Sequence, residues 1–166
     1  MYGSIVNEVW SGVEVIYCSD FMDRFEFEQL RDLPDKEILK DVNFVSKKSA
    51  RPVYVLEPLP VGNSLGLDLL LGGTYNPVIA RISFNFIIRG VGPICRFCIN
   101  GRLHPGAGRT HKHDLTQESD PRHNLPTSVV ERPDLAGISL QDAWRRICAQ
   151  AKIRHAGKLS GPTGLL

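Results

Sequence analysis

Apolar residues recur along this chain with two different periods, and the switches between them predict its elements. Over Val78–Ile88 the alternation is strict. Ile82, Phe84, Phe86 and Ile88 point one way, and Arg81, Ser83, Asn85 and Ile87 point the other, which is the period of a half-buried strand. Ile94–Ile99 can return antiparallel across the compact turn Gly90-Val91-Gly92-Pro93 to complete a hairpin. Leu65, Leu67, Leu69 and Leu71 alternate too and predict another strand, with Gly72-Gly73 and Asn76-Pro77 as the turn region beyond it. Val9–Cys18 has the β-branched character of a strand. Pro52–Leu56 predicts a short one, ended by Pro58 and Pro60.

Elsewhere the spacing lengthens to three and four. Ser19 or Asp20 can cap a helix whose apolar residues are Phe21, Phe25 and Leu30. Leu33-Pro34-Asp35 ends that helix and starts a second, with Pro34 near its first turn and Ile38, Leu39 and Val42 as its buried stripe. Ser139 caps a third helix, running to about Ile153, with Leu140, Ala143, Trp144, Ile147 and Cys148 on one face. From His155 the chain is rich in Gly and Ser, which predicts a flexible tail over 155–166. The expectation is a single α+β domain over residues 1–154. It is built on a mainly antiparallel sheet with two N-terminal helices and one C-terminal helix.

Length and composition narrow the class. A chain of 166 residues suits one domain that buries its own core. Its 42% hydrophobic and 23% charged content is that of a soluble globular protein. The longest apolar runs are too short, or too broken by Arg81, Asn85 and Arg89, to span a bilayer, so no membrane partner is expected. Glu8 and Glu14 with no basic segment do not resemble a signal peptide. Four cysteines without dense spacing do not make a secreted disulfide scaffold. A cytoplasmic protein is expected.

Charge is uneven along the chain. Residues 1–90 carry 9 Lys/Arg against 12 Asp/Glu; residues 91–166 carry 11 against 6, together with all five histidines. An anionic ligand would therefore dock on the second half. The charged helix face of Asp23, Arg24, Glu26 and Glu28 is explained by solvation, or by docking of a basic partner such as an antitoxin.

The candidate chemistry collects in Ile94–Asn124, which holds Arg96, Asn100, Arg109, Lys112, two cysteines and four of the five histidines. Residues 101–133 are long for a connection in one domain, and a strand around Thr110–Thr116 would shorten it. Such a strand would put His111 and His113 on one face, about 6–7 Å apart at their Cα atoms. Arg109 would share that face, while Thr110, Lys112 and Asp114 would take the other. His104 could swing in from the preceding loop.

Three readings follow from these groups. In the first, His111 and His113 hold a divalent metal ion with His104, Glu118 or Asp120 as a third ligand. In the second, two of the histidines His104, His111 and His113 act as acid and base on RNA. Arg96, Asn100, Arg109 and Lys112 would then bind the substrate and its phosphate. In the third, the cluster is polar surface or a partner-binding face without catalysis. Cys95 and Cys98 lie three apart in a strand and so face opposite ways; with no second C-x-x-C they are read as structural thiols. Cys18, Cys148, Trp10 and Trp144 are read as core, and Pro121-Arg122-His123-Asn124 as a surface turn.

Arg96-x-x-x-Asn100-x-x-x-His104 followed by Thr110-His111-Lys112-His113 resembles small bacterial toxins of two-gene toxin–antitoxin modules. In these a hairpin ends in an Arg-rich, Asp/Asn-bearing strand and histidines follow. The resemblance covers about 20 residues. It implies a cytoplasmic protein that cleaves or modifies RNA through Arg96, Asn100, His104, His111 and His113, with an antitoxin as partner. The leading expectation is thus a small nucleic-acid-acting protein, most concretely a ribonuclease-type toxin. The alternative is a non-enzymatic interaction protein, such as a prophage-type inhibitor or regulator, binding a partner through its basic, His-rich surface.

Overall fold

The computed structural model describes residues 24–47, 49, 52–90, 92–113 and 129–162. A seven-stranded sheet forms the centre. Its strands are β3 (Val45–Ser46), β4 (Tyr54–Val61), β5 (Leu69–Asn76), β6 (Arg81–Ile88), β7 (Gly92–Ile99), β8 (His111–His113) and β9 (Val129–Glu131). Each pairs antiparallel with the next, so the sheet is a meander in chain order. The hairpin expected around Gly90–Pro93 is present, with Phe84 opposite Phe97 and Ile82 opposite Ile99. Ile82, Phe84, Phe86 and Ile88 are buried on one face, as their alternation predicts.

The core lies between that face and the helix α2 (Leu140–Gln150). Ser139 caps α2 by accepting a hydrogen bond from the Asp142 amide at 3.0 Å. Leu140, Ala143, Trp144, Ile147 and Cys148 are its buried residues, the five expected. The Trp144 ring meets Phe84 edge-on at 5.6 Å. An α+β domain on a mostly antiparallel sheet is what the chain forms.

The second N-terminal helix does not form. After the helix α1 (Arg24–Asp32) come two strands, β1 (Lys36–Ile38) and β2 (Val42–Asn43). Ile38 and Val42 are buried as expected, but Leu39 is 64% exposed. Apolar positions four apart fit a strand as well as a helix. Buried Val42 and Phe44 alternating with exposed Asn43 and Val45 show the period that prevails. Two α-helices are present among the described residues. In α1, Leu30 is buried but Phe25, expected on the apolar face, is 66% exposed.

The expected tail is also part of the fold. β10 (Ile153–His155) runs parallel to β1, pairing Ile153 with Lys36. β11 (Leu159–Ser160) runs parallel to β2, pairing Leu159 with Val42. Residues 155–162 are therefore tied down rather than loose.

Two further expectations are corrected in the sheet. Gly72-Gly73 is not a turn but the middle of β5, and the turn lies at residues 77–80. A Cβ on Gly73 would stand 2.7 Å from both Phe84 Cδ1 and the Ser83 carbonyl oxygen, so the close approach of β6 demands glycine there. Likewise Pro58 and Pro60 do not end β4. A bulge falls between Leu56 and Leu59, and beyond Val55 the outer edge of β4 has no described partner in the sheet, so a missing N–H costs no ladder bond. The strand Val9–Cys18 with Trp10, the helix start at Ser19 or Asp20, and the segment 121–124 lie outside the described residues. No helix among the described residues is long and apolar enough to cross a membrane.

Candidate functional site

Opposite the core, the sheet carries a polar face, and strand register decides what meets there. β8 lies between β7 and β9, with Cys98 opposite His111 opposite Glu131, and Arg96 opposite His113 opposite Val129. Ser83 and Asn85 extend these two rows on β6. Side-chain alternation brings His111 and His113 to one face, as expected, and Lys112 to the other. The strand observed is His111–His113; the expected continuation to Thr116 lies outside the described residues.

A tight loop over residues 100–110 covers this face. The Gly101 amide donates to the Arg109 carbonyl at 2.8 Å, and the His104 amide to the Gly108 carbonyl at 3.0 Å. This folds the loop back on itself and lays the His104 ring over the strand pair. Ring centroids are 4.5 Å apart for His104–His111, 5.2 Å for His104–His113 and 5.0 Å for His111–His113. Gly101 leaves the floor thin: a Cβ there would lie 3.2 Å from Cys98 Cβ and 3.9 Å from His111 Cε1.

Cys98 completes the group. Its sulfur and a ring nitrogen from each of His111 and His113 all lie within 4.8 Å of one another. The expectation that Cys95 and Cys98 face opposite ways holds: Cys95 is buried in the core, beside Phe86, and Cys98 sits half-buried on the histidine face. The same alternation that separates the two thiols brings Cys98 beside the two histidines. Only the pairing of β7 with β8 discloses this, and that pairing is not written in either strand alone.

Burial sets the state of these groups. His111 is 1% exposed and His113 2%. Among the described residues neither ring nitrogen of His111 has a hydrogen-bond partner, which is costly for an imidazole removed from water. Burial, and then the neighbouring His104 and Arg96, push the His111 pKa down; the nearby Gly108 backbone opposes this without forming a hydrogen bond of normal geometry. Burial thus favours the neutral form of the His111 ring, which offers one lone pair. Burial likewise raises the Cys98 thiol, against the opposing pull of Arg96, the facing Ser83 and Arg81. His104 is half-buried and has access to solvent.

The expected substrate-binding residues are scattered by the fold. Arg96 is on the histidine face, where its Nε donates to Asn85 Oδ1 at 2.8 Å. Arg109 is exposed at the end of the covering loop rather than on the strand face, and its Nη1 donates to the Gly101 carbonyl at 3.2 Å. Asn100 is a turn residue with φ 50°, its side-chain amide donating to the Ala80 carbonyl. Lys112 is buried on the opposite face, between Phe97 and Val130 in the pairing, and does not join the site. Glu118 and Asp120, expected as third metal ligands, lie outside the described residues.

Comparison with protein-family models, with curated proteins and with solved structures finds no match.

Proposed function

We propose that the protein acts on nucleic acid, as a ribonuclease of the toxin type, with the His104–His111–His113 cluster as its centre. What carries the reading is the mutual contact of the three rings, 4.5 to 5.2 Å between centroids, beneath a loop that bears Arg102 and Arg109 on its exposed side. Imidazoles exchange protons near neutral pH, and guanidinium groups bind phosphate, which is the pair of capacities that phosphodiester cleavage requires. Exposures of 1% and 2% keep His111 and His113 from touching a substrate as an acid–base pair. His104, half-buried in the loop above them, takes the proton of the attacking 2′-hydroxyl in this reading, while the P–O5′ bond breaks and the leaving oxygen takes a proton from water. Arg102 and Arg109 hold the phosphate, and the buried pair anchors the site.

Cleavage of end-labelled single-stranded RNA by the full chain, with and without added divalent cations, tests the reading. His104→Ala should lower the rate by about 100-fold or more, the usual cost of losing a general acid or base, with its circular dichroism unchanged. A wild-type chain that cleaves nothing under any of these conditions, or a variant as active as wild type, removes the proposal in favour of a binding surface.

A further inference from the structure

We propose that Cys98, His111 and His113 form a binding site for one transition-metal ion of zinc type, with His104 beside its open fourth position. Three independent features meet at this point of the sheet. The donor set is one thiolate and two imidazoles, a combination suited to Zn(II) and unsuited to hard cations such as Mg(II) or Ca(II). Its geometry is close to tetrahedral requirements. Zn–S and Zn–N bonds of about 2.3 and 2.0 Å separate neighbouring donors by about 3.5 Å; the three donors of this cluster are within 4.8 Å of each other. Side-chain rotations sharing roughly an ångström close that gap. Finally, both ring nitrogens of His111 are buried without a hydrogen-bond partner among the described residues, and a metal bond would satisfy one of them.

The scaffold suits a metal. Cys98 and His111 face each other on adjacent strands and His113 follows two residues on, so the backbone ladder fixes all three directions. Ser83 stands directly opposite Cys98 on the neighbouring strand, where its hydroxyl is placed to orient a thiolate. Binding requires Cys98 to lose its proton to solvent as the S–metal bond forms, with no change in oxidation state.

This inference shares its histidines with the ribonuclease reading but stands or falls separately, because its readout is spectroscopic. Reduced full-length protein, stripped of metal and titrated with Co(II), should develop one equivalent of tetrahedral visible bands together with a thiolate-to-cobalt charge-transfer band, both displaced by Zn(II). Cys98→Ser should abolish the charge-transfer band and weaken binding by more than the 10–100-fold typical of losing an outer hydrogen-bond partner. His104→Ala should keep both bands and the one-to-one stoichiometry. Wild-type protein without a charge-transfer band, or Cys98→Ser with an unaltered titration, overturns the proposal. Loss of the bands in folded His104→Ala overturns the three-donor composition in favour of a closed four-ligand site. Failure of RNA cleavage in a chain that binds cobalt as described leaves this inference standing and removes the other.

Discussion

Two polar side chains are buried on opposite faces of the same sheet, and they are served in opposite ways. Lys36, on the core side with its ammonium 5.8 Å from the centre of the Phe86 ring, is fully buried. Its Nζ donates to the carbonyls of Leu30, Arg31 and Leu33 at 3.0, 2.7 and 2.5 Å. Those carbonyls lie at and just beyond the last turn of α1, so one side chain closes the end of the helix and fastens it to β1. His111, on the other face, is equally buried, and neither of its nitrogens has a partner among the described residues. A buried polar group whose donors are all used is finished architecture. One left with lone pairs and nothing to bond is half of an interaction.

The contrast is open to attack from its larger side first. Lys36→Met keeps the length of the side chain and removes all three bonds, leaving a helix end without its cap. It should lower unfolding free energy by about 2–4 kcal/mol, measured by chemical denaturation. A loss under about 0.5 kcal/mol, the range of ordinary surface changes, would make Lys36 incidental.

A smaller effect follows from the charge on the same residue. Burial lowers the Lys36 pKa from 10.5 to about 8, outweighing the attraction of Asp32 and Asp35. Below pH 8 both folded and unfolded chains carry the proton; between pH 8 and 10.5 the unfolded chain holds it and the folded chain releases it. The unfolded state thus binds more protons, and this contribution to stability rises with pH through that window, by at most about 1.4 kcal/mol per pH unit. Subtracting the pH dependence of Lys36→Met from that of wild type isolates the slope; a difference that is flat or falling contradicts the expected rise.

The smallest effect is the most telling. His111→Leu in metal-free protein removes a buried polar ring that has no hydrogen-bond partner among the described residues, so stability should stay within about 1 kcal/mol of wild type, or rise. A loss comparable to that of Lys36→Met would mean that His111 is already structurally satisfied, and the contrast would collapse.

How far each side of this contrast was legible depends on the range of the signal. The β6–β7 hairpin was readable because Ile82, Phe84, Phe86 and Ile88 alternate without interruption and a turn follows at once. The cap and apolar face of α2 were readable for the same local reason. Lys36 was not, since nothing near it in sequence distinguishes a lysine that bonds helix carbonyls from one in solvent. The pair Ile38 and Val42 suits either period, and a parallel partner more than a hundred residues away decided between them. The histidine pair on one face followed from alternation alone. Cys98 joined it through register between strands, which no single segment encodes, and Lys112 left it by the same alternation that brought the histidines together.

The two parallel pairings have a consequence for how the chain comes to its shape. From β3 to β7 the meander is made of neighbours in sequence, so these hairpins can close over short loops as they emerge from the ribosome. β1 and β2 cannot finish with them. Glu37 and Arg154, bonded to each other across the β1–β10 pair, are 117 positions apart, and the entropy of that closure can be met only after the whole meander between them has been made. β10 and β11, which follow the meander in sequence, are thus the strands that clasp β1 and β2, which precede it. Until they arrive, the edges of β1 and β2 stand open to any extended segment that comes within reach.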